Sequence, residues 1–449
     1  PEVVAAEARR LRLIALVHHP LALETGLSAA AAAALQQAER RALAAVRGVI
    51  VTSRATARAL ADYAVPTERI GIVEPGTDRA PAARGSGGGR LELLCVATVT
   101  PRKGHAVLIE GLGRLRRHDW RLNCVGSLQR CPATVSALRR QISALRLDAS
   151  VRLLGEVDAA SLASCYQRAD LFVLPSYHEG YGMALAEAVA QARILLVAVP
   201  SHAFRAVVQS IEPLLPAAAG VSWATKGFDP GSGGLLSEVA AGCLPGCSLA
   251  VVSGPTFAGE VARGLPTAIT VAADSPMHAE RVAGYLHGEN FRAYTSDDLV
   301  GVQVGGASKN VMAIAAGISD GLGFGANARA ALITRGLHEI MLLGRALGGR
   351  SETFMGLAGL GDLALTCTDD QSRNRRMGLA LARGLDIAAA RKEIGQEVEG
   401  VSTAREVRLK ARALGVEMPI TEQTYQVLYE GLDPREAVNN LLRRQARPE

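Results

Sequence analysis

VRLLGEVDAASLASCYQRADLFVL, residues 151–174, reads as a strand (Val151–Leu154), a helix (Ala159–Arg168) and a second strand (Leu171–Leu174). The same alternation extends outward on both sides. Upstream lie an apolar strand Leu91–Val99, a helix His105–Arg116 and a strand Arg121–Val125, followed by Val135, Leu138, Ile142 and Leu145 at helical spacing. Downstream the strands continue through Ile194–Val199, Gly220–Ala224, Ser248–Val252 and Thr267–Ala272. From about Ser308 onward only helical periods remain, separated by glycine-rich turns. Repeated β-α units predict an α/β doubly wound parallel sheet, here followed by an all-α C-terminal domain. Ligands of such sheets bind beyond the carboxyl ends of the strands.

The first 80 residues carry a shorter version of the pattern: a strand Leu11–Val17, an Ala-rich helix Ser28–Val46 and a strand Gly48–Thr52, with Ser53 placed to cap the next helix. Ala80–Arg90, with Pro81 and its glycines, reads as a linker. Ile194–Val199 is as apolar a strand as those before it, so the sheet begun at Leu91 is expected to continue through Leu171–Leu174 into Ile194–Val199 and Gly220–Ala224 as one hybrid sheet.

Composition narrows the function. The 449 residues predict two or three domains, and 49% hydrophobic with 20% charged residues is a globular balance. No apolar run approaches a membrane span, and the N-terminus shows no signal peptide. The seven cysteines are scattered without CxxC pairs, so neither a disulfide framework nor a zinc site is indicated and a reduced, cytoplasmic setting is expected. Net charge +6 suits anionic ligands, but dispersed basic residues and 4% aromatics argue against nucleic acid. Lysine stands only at positions 103, 226, 309, 392 and 410, so a lysine in a motif is a hint that a deprotonatable ammonium is wanted.

Four segments have the character of site motifs. Trp223-Ala-Thr-Lys226-Gly227 puts a lysine at the carboxyl end of a strand. Ser253-Gly254-Pro255-Thr256-Phe257-Ala258 follows another strand, with Gly254 allowing close backbone approach and Pro255 suited to a first helical turn. Gly305-Gly-Ala-Ser-Lys309-Asn310 opens an apolar helix, where burial would lower an ammonium pKa. Gly359-Leu-Gly-Asp362-Leu is joined by Ser372-Arg373-Asn374, a set suited to holding phosphate. Taken singly, Lys226 also reads as a solvated strand end, Lys309 as a snorkelling helix residue, Asp362 as an N-cap and Arg373 as a surface arginine.

The order and spacing of "LLVAVPS", "WATKG", "SGPTFAGEVARGLPTA", "GGASKNVMAIAAGISDGLGFGANARAALITRG", "GLAGLGDLALTCT", "SRNRRMG" and "EVEGVSTA" resemble bacterial NAD(P)-dependent glycerol-3-phosphate dehydrogenases. The resemblance implies hydride transfer between NAD or NADP and C2 of sn-glycerol 3-phosphate, giving dihydroxyacetone phosphate, a step toward glycerophospholipids, with no metal. It makes Lys309 the general base, with Lys226 and Asp362 orienting the reacting oxygen. It gives Lys226, Gly254, Thr256, Asp362, Ser372, Arg373 and Asn374 to the substrate, and Lys226, Ala258, Arg373, Glu397 and Glu399 to the cofactor. A homodimer is an allowed assembly. One departure is plain: no G-x-G-x-x-G turn follows a strand upstream of Ile194.

"ATVTPRKGH", "LFVLPSYHEGYGMALAEAVA" and "LVHHPLALETGL" instead resemble retaining GT-B-type glycosyltransferases. That resemblance implies a nucleotide-sugar site of Lys103, Glu179 and Glu187, the two glutamates separated by seven residues. Thr98 stands where that family carries an arginine, with Arg102 as a candidate replacement. The expected division is therefore a partial glycosyltransferase N-terminal domain at 1–80, a linker at 81–90 and a partial GT-B nucleotide-sugar domain at 91–193. The second half of a Rossmann domain comes next at 194–300, and an all-α catalytic and substrate domain at 301–449.

Overall fold

The computed structural model describes residues 1–443 apart from 25, 79, 116–118 and 178. The chain divides into two compact units, one of residues 1–192 with 214–216 and one of residues 193–213 with 217–449.

The first unit holds two sheets. A three-stranded parallel sheet, in the order β1-β2-β3, is made of Ile14–Val17, Gly48–Val51 and Ile70–Ile72. Helices α1 (Glu2–Glu7), α2 (Ala29–Ala45) and α3 (Arg54–Ala59) accompany it. Two hydroxyls set helix starts here: Ser28 Oγ accepts from Ala31 N, and Ser53 Oγ from Thr56 N. Residues 80–90 contain no helix or strand. The second sheet, order β6-β5-β4-β7, is wholly parallel and comprises β4 (Leu91–Val96), β5 (Trp120–Val125), β6 (Val151–Gly155) and β7 (Leu171–Phe172). Its helices are α4 (His105–Gly113), α5 (Pro132–Ala144), α6 (Ala159–Arg168) and α7 (Met183–Val189). The expected last residue of α4, Arg116, lies outside the described residues.

The second unit opens with β8 (Ile194–Val197), α8 (Ser201–Ile211), β9 (Gly220–Trp223), α9 (Leu236–Cys243), β10 (Ser248–Ser253), α10 (Ala258–Ala262), β11 (Thr267–Ala273), α11 (Pro276–Leu286) and β12 (Phe291–Ser296). These strands form one sheet in the order β12-β11-β10-β9-β8. All-helical structure comes after it: α12 (Leu299–Gly321), α13 (Gly325–Ala346), α14 (Ser351–Phe354), a π-helical turn Leu357–Gly361, α15 (Asp362–Thr368), α16 (Arg373–Ala382), α17 (Ile387–Ile394), α18 (Glu399–Ala413), α19 (Pro419–Tyr429) and α20 (Pro434–Leu442). Helix α12 is the axis of this half. Val311, Met312, Ala313 and Ile314 are fully buried in a core shared with residues of α13, α16, α18 and α19. Its crossing with α16 is backbone to backbone. A Cβ on Gly317 would stand 2.1 Å from the Arg375 carbonyl oxygen, and one on Gly378 2.0 Å from that of Ile314.

Three expectations are corrected. The hybrid sheet does not form: β7 pairs with β4, whereas β8 pairs with β9 in register from Ile194↔Gly220 to Val197↔Trp223. Apolar periodicity marks a buried strand but carries no information on its partner. The second unit's sheet is not parallel throughout, because β10 and β11 run antiparallel. Finally, Gly305–Asn310 lies inside α12, which begins at Leu299 behind the N-cap Asp298, whose Oδ1 accepts from Gly301 N at 2.8 Å. The glycines that suggested a helix start are packing positions; a Cβ on Gly306 would fall 2.7 Å from Ser253 Oγ.

Candidate active site

The residues gathered around Asp362 come from distant points of the second unit. The strand β9 is buried along its length, and three residues past it the Lys226 side chain leaves the sheet at its carboxyl end. Lys309 projects from the middle of α12 and is 7% exposed. Asp362, 1% exposed, is the first residue of α15, delivered there by the π-helical turn. A carboxylate in a helix's first turn is favoured by the helix dipole.

Asp362 clamps both lysines. Its Oδ2 accepts from Lys226 Nζ at 2.5 Å, and its Oδ1 pairs with Lys309 Nζ. Lys226 Nζ also donates to the Gly254 carbonyl at 3.3 Å, which ties the loop after β10 to the same point. Thr366, one turn along α15, accepts from Lys309 Nζ at 2.9 Å and donates to the Asp362 carbonyl at 2.6 Å. This threonine has no motif that marks it in sequence. Its i, i+4 spacing from Asp362 is the signal that was there to be used.

The electrostatics come from this packing. Burial pushes the Lys309 ammonium down from 10.5 to about 8; Asp362 opposes the shift and Lys226 adds to it. Burial alone would raise the Asp362 carboxyl, but the two ammoniums outweigh it and hold it below its usual value. Glu399 sits close by. Burial raises its carboxyl pKa against the pull of Arg373, Lys226 and Lys309, with Glu397 acting in the same direction as burial. The hydroxyls of Ser253 and Ser308 and the Asn310 amide nitrogen are buried without hydrogen-bond partners.

The remaining expected site residues divide. Arg373 is half-buried and near Glu399. Ser372 is committed to the fold, its Oγ accepting from Arg375 N as the cap of α16. Asn374 is equally committed: it donates to Asn310 Oδ1 at 3.0 Å and accepts from Gly400 N at 2.9 Å. Thr256 Oγ1 donates to the Gly254 carbonyl at 3.2 Å. Pro255 is not in a first helical turn, since α10 begins three residues later at Ala258. Gly254 adopts φ +150, and a Cβ there would meet the Ala268 carbonyl at 3.0 Å. Glu397 is exposed just ahead of α18, which starts at Glu399.

A family model described as NAD-dependent glycerol-3-phosphate dehydrogenase C-terminus matches residues 298–439, and one for the N-terminus of the same enzyme matches 181–279. A glycerol-3-phosphate dehydrogenase (NAD(P)+) from Methylococcus capsulatus is 60% identical over 267 residues, which is 59% of this chain and 80% of that one. The chain belongs to this family. The Thioalkalivibrio sulfidiphilus dehydrogenase is 61% identical over 257 residues, covering 57% of this chain and 77% of the relative. The structure of a Coxiella burnetii glycerol-3-phosphate dehydrogenase aligns with TM-score 0.60 and 36% identity, covering 80% of this chain and 100% of that one. The chain also matches two further models, Glycosyltransferase Family 4 at residues 2–80 and Glycosyl transferases group 1 at 90–220. The latter overlaps the dehydrogenase N-terminus match over residues 181–220.

In the first unit the glycosyltransferase motifs come partly together. Lys103 Nζ lies 2.6 Å from Glu179 Oε1, and Arg102 Nε 3.2 Å from Glu24 Oε1. His19 Nε2 stands 2.9 Å from the other Glu24 oxygen. Burial would raise Glu179, but Lys103, Ser176 and Arg102 hold it below its usual value. Glu187 lies on α7 near the Tyr166 hydroxyl, whose pKa burial and this glutamate push upward. No group of three or more His, Cys, Asp or Glu side chains able to hold a metal occurs among the described residues. Nor is any described helix long and apolar enough to cross a membrane.

Proposed function

We propose that the second unit carries out the dehydrogenase reaction between sn-glycerol 3-phosphate and dihydroxyacetone phosphate, serving glycerophospholipid precursor synthesis. The observation that carries the reading is the buried carboxylate holding two lysines, one with its pKa drawn down to about 8. NAD or NADP, when bound, accepts or supplies the hydride at C2. Lys309 Nζ, once neutral, takes the proton of the C2 hydroxyl; as the ammonium it returns a proton to the carbonyl oxygen. Lys226 and Asp362 fix where that oxygen sits. Arg373 is the main group for the substrate phosphate, with the Ser372 hydroxyl, which accepts from Arg375 N and keeps its own proton to donate, beside it, while Asn374 bonds α12 and α18. Gly254 and Thr256 supply the approach from the loop after β10.

In this reading Lys226, Ala258, Arg373, Glu397 and Glu399 serve the reacting end of the cofactor; in support, Arg373, Lys226 and Glu397 act electrostatically on Glu399, and the Ser253 and Ser308 hydroxyls and the Asn310 amide nitrogen are buried without hydrogen-bond partners. The diphosphate end is a different matter, since residues 1–193 contain no G-x-G-x-x-G turn after a strand. The proposal extends to a cytoplasmic setting and to a homodimer, which sedimentation of the full chain would test. Oxidation of NADPH or NADH that depends on dihydroxyacetone phosphate and disappears in Lys309→Ala supports the reading. A purified folded chain showing no such oxidation with either nucleotide overturns it and favours a fusion of two partial enzymes without turnover.

A second reading has its own observation, the Lys103–Glu179 pair in the first unit. It is a retaining glycosyl transfer from a nucleotide-sugar donor, with Lys103 neutralising the diphosphate and Glu187 reaching the ribose. Thermal stabilisation by a nucleoside diphosphate, lost in Glu187→Ala, would support it; no stabilisation would remove it.

A further inference from the structure

A parallel sheet covered by helices carries apolar side chains on both faces. One face of the β6-β5-β4-β7 sheet departs from this over half its length. Side chains alternate along a strand, and register neighbours share a face. Glu92 is level with Arg121, and Asn123 with Arg152, so these four form one polar band across β4, β5 and β6. Toward the carboxyl ends the same face turns apolar: Leu94 and Val125 pack against Tyr166 of α6. Toward the amino ends the cover thins to Cys165 and Ala169. Arg90 and Arg168 join the band at a concavity of about 410 Å³, lined by these six residues with Ser86 and Gly88 and, on its apolar side, by Leu93, Leu94, Leu154, Cys165 and Ala169.

The charges in that concavity are unbalanced. Glu92 is its one lining carboxylate and is already bonded, to Arg121 Nη1 at 3.1 Å and to Asn123 Nδ2 at 3.0 Å. Arg90 is held by the Trp120 carbonyl at 3.0 Å and by Ser150 Oγ at 3.1 Å. Arg152 and Arg168 have no partner among the described residues, and Arg121 Nε is buried without an acceptor. Four guanidiniums against one carboxylate, in a volume typical of small-molecule sites, call for an anion. Guanidinium forks match phosphate oxygens in pairs.

We propose that this concavity binds a small phosphorylated molecule, with the phosphate on Arg152 and Arg168 and Arg121 as a third donor. The site lies at the amino ends of the strands. Lys103 and Glu179 lie beyond the carboxyl ends, so the two positions are separate on this sheet. The proposal is independent of the dehydrogenase reading.

The test is calorimetric titration of inorganic pyrophosphate into the full chain carrying Arg373→Ala, which silences the proposed substrate-phosphate position. Saturable binding of one pyrophosphate is expected, weakened about tenfold or more by the pair Arg152→Ala and Arg168→Ala. The pair Arg139→Ala and Arg140→Ala, which removes the same charge from the exposed side of α5, should leave affinity within about twofold. Glu92→Gln, which takes away the lining carboxylate, should tighten binding. The absence of saturable binding overturns the proposal. So does equal weakening by both arginine pairs, which would mean surface charge only, or loss of binding in Lys103→Ala, which would put the anion at the other end of the sheet.

Discussion

Lys226 Nζ stands 2.5 Å from Oδ2 of Asp362, a residue 136 positions further along the chain. The other oxygen of the same carboxylate is taken by Lys309, so one buried negative charge serves two ammoniums. Replacing it by Asp362→Asn would take from both lysines the carboxylate they are bonded to. Removing one partner of a buried ion pair costs about 3–5 kcal/mol. Chemical denaturation should show a loss of that order, far above what a surface Asp→Asn change gives.

The same geometry sets a pH profile. Lys309 must be neutral to take a proton, and its pKa is about 8. In the direction of glycerol 3-phosphate oxidation, kcat/KM should therefore rise about tenfold per pH unit below 8 and level off above it. Asp362 opposes the lowering of that pKa, so any active Asp362→Asn enzyme should show the break at lower pH. A pH-independent rate through this range would contradict Lys309 as the base.

Thr366 is a positioning residue, touching Lys309 Nζ and the Asp362 backbone. Thr366→Val keeps the shape and removes both bonds, at about 1–3 kcal/mol for the buried groups left unpaired. A fall in kcat with KM little changed is the expected signature, and Thr366→Ser should restore much of it. If Thr366→Ser were as impaired as Thr366→Val, the hydroxyl would not be the reason.

The α12–α16 crossing should be intolerant of any side chain. Gly378→Ala places a methyl carbon 2.0 Å from the Ile314 carbonyl oxygen, where backbone cannot yield cheaply. A loss of about 3 kcal/mol or more is expected. Gly242→Ala, in a place where a Cβ meets nothing within 4 Å, is the control and should change the melting temperature little.

Glu406 on α18 is 3% exposed, with neither carboxylate oxygen hydrogen-bonded. Burial pushes its pKa from 4.5 up to about 7, Arg405 opposing and Asp229 assisting. The native state thus holds a proton that the unfolded chain releases. Stability associated with this group is present below pH 4.5 and lost as pH rises to 7, by about 3 kcal/mol. Glu406→Gln should melt higher than the unsubstituted chain at pH 8 and show a smaller gain at pH 5. Equal gains at both pH values would mean that the carboxylate is not the cause.

Local signals in the sequence determined the β-α alternation, the change to helices in the last third and the cap Ser53, because they involve only residues near one another in the chain. Lys226, Lys309, Asp362 and Arg373 were marked as chemistry-bearing by the order and spacing of the motifs that hold them, which resemble those of the dehydrogenase family. What these signals left undecided was every relation between distant residues. Strand partners were one case: Ile194–Val197 is apolar enough for either sheet, and only the register with β9 assigns it. Ser372 and Asn374 were another, polar residues suited to phosphate that the fold uses as a helix cap and a bridge from α16 to α12 and α18. Only the tertiary structure brings two lysines 83 positions apart to opposite oxygens of one carboxylate, because that arrangement depends on where α12 and α15 pack against the end of β9. Residue identity sets which groups can ionise; their burial and neighbours set at what pH they do so.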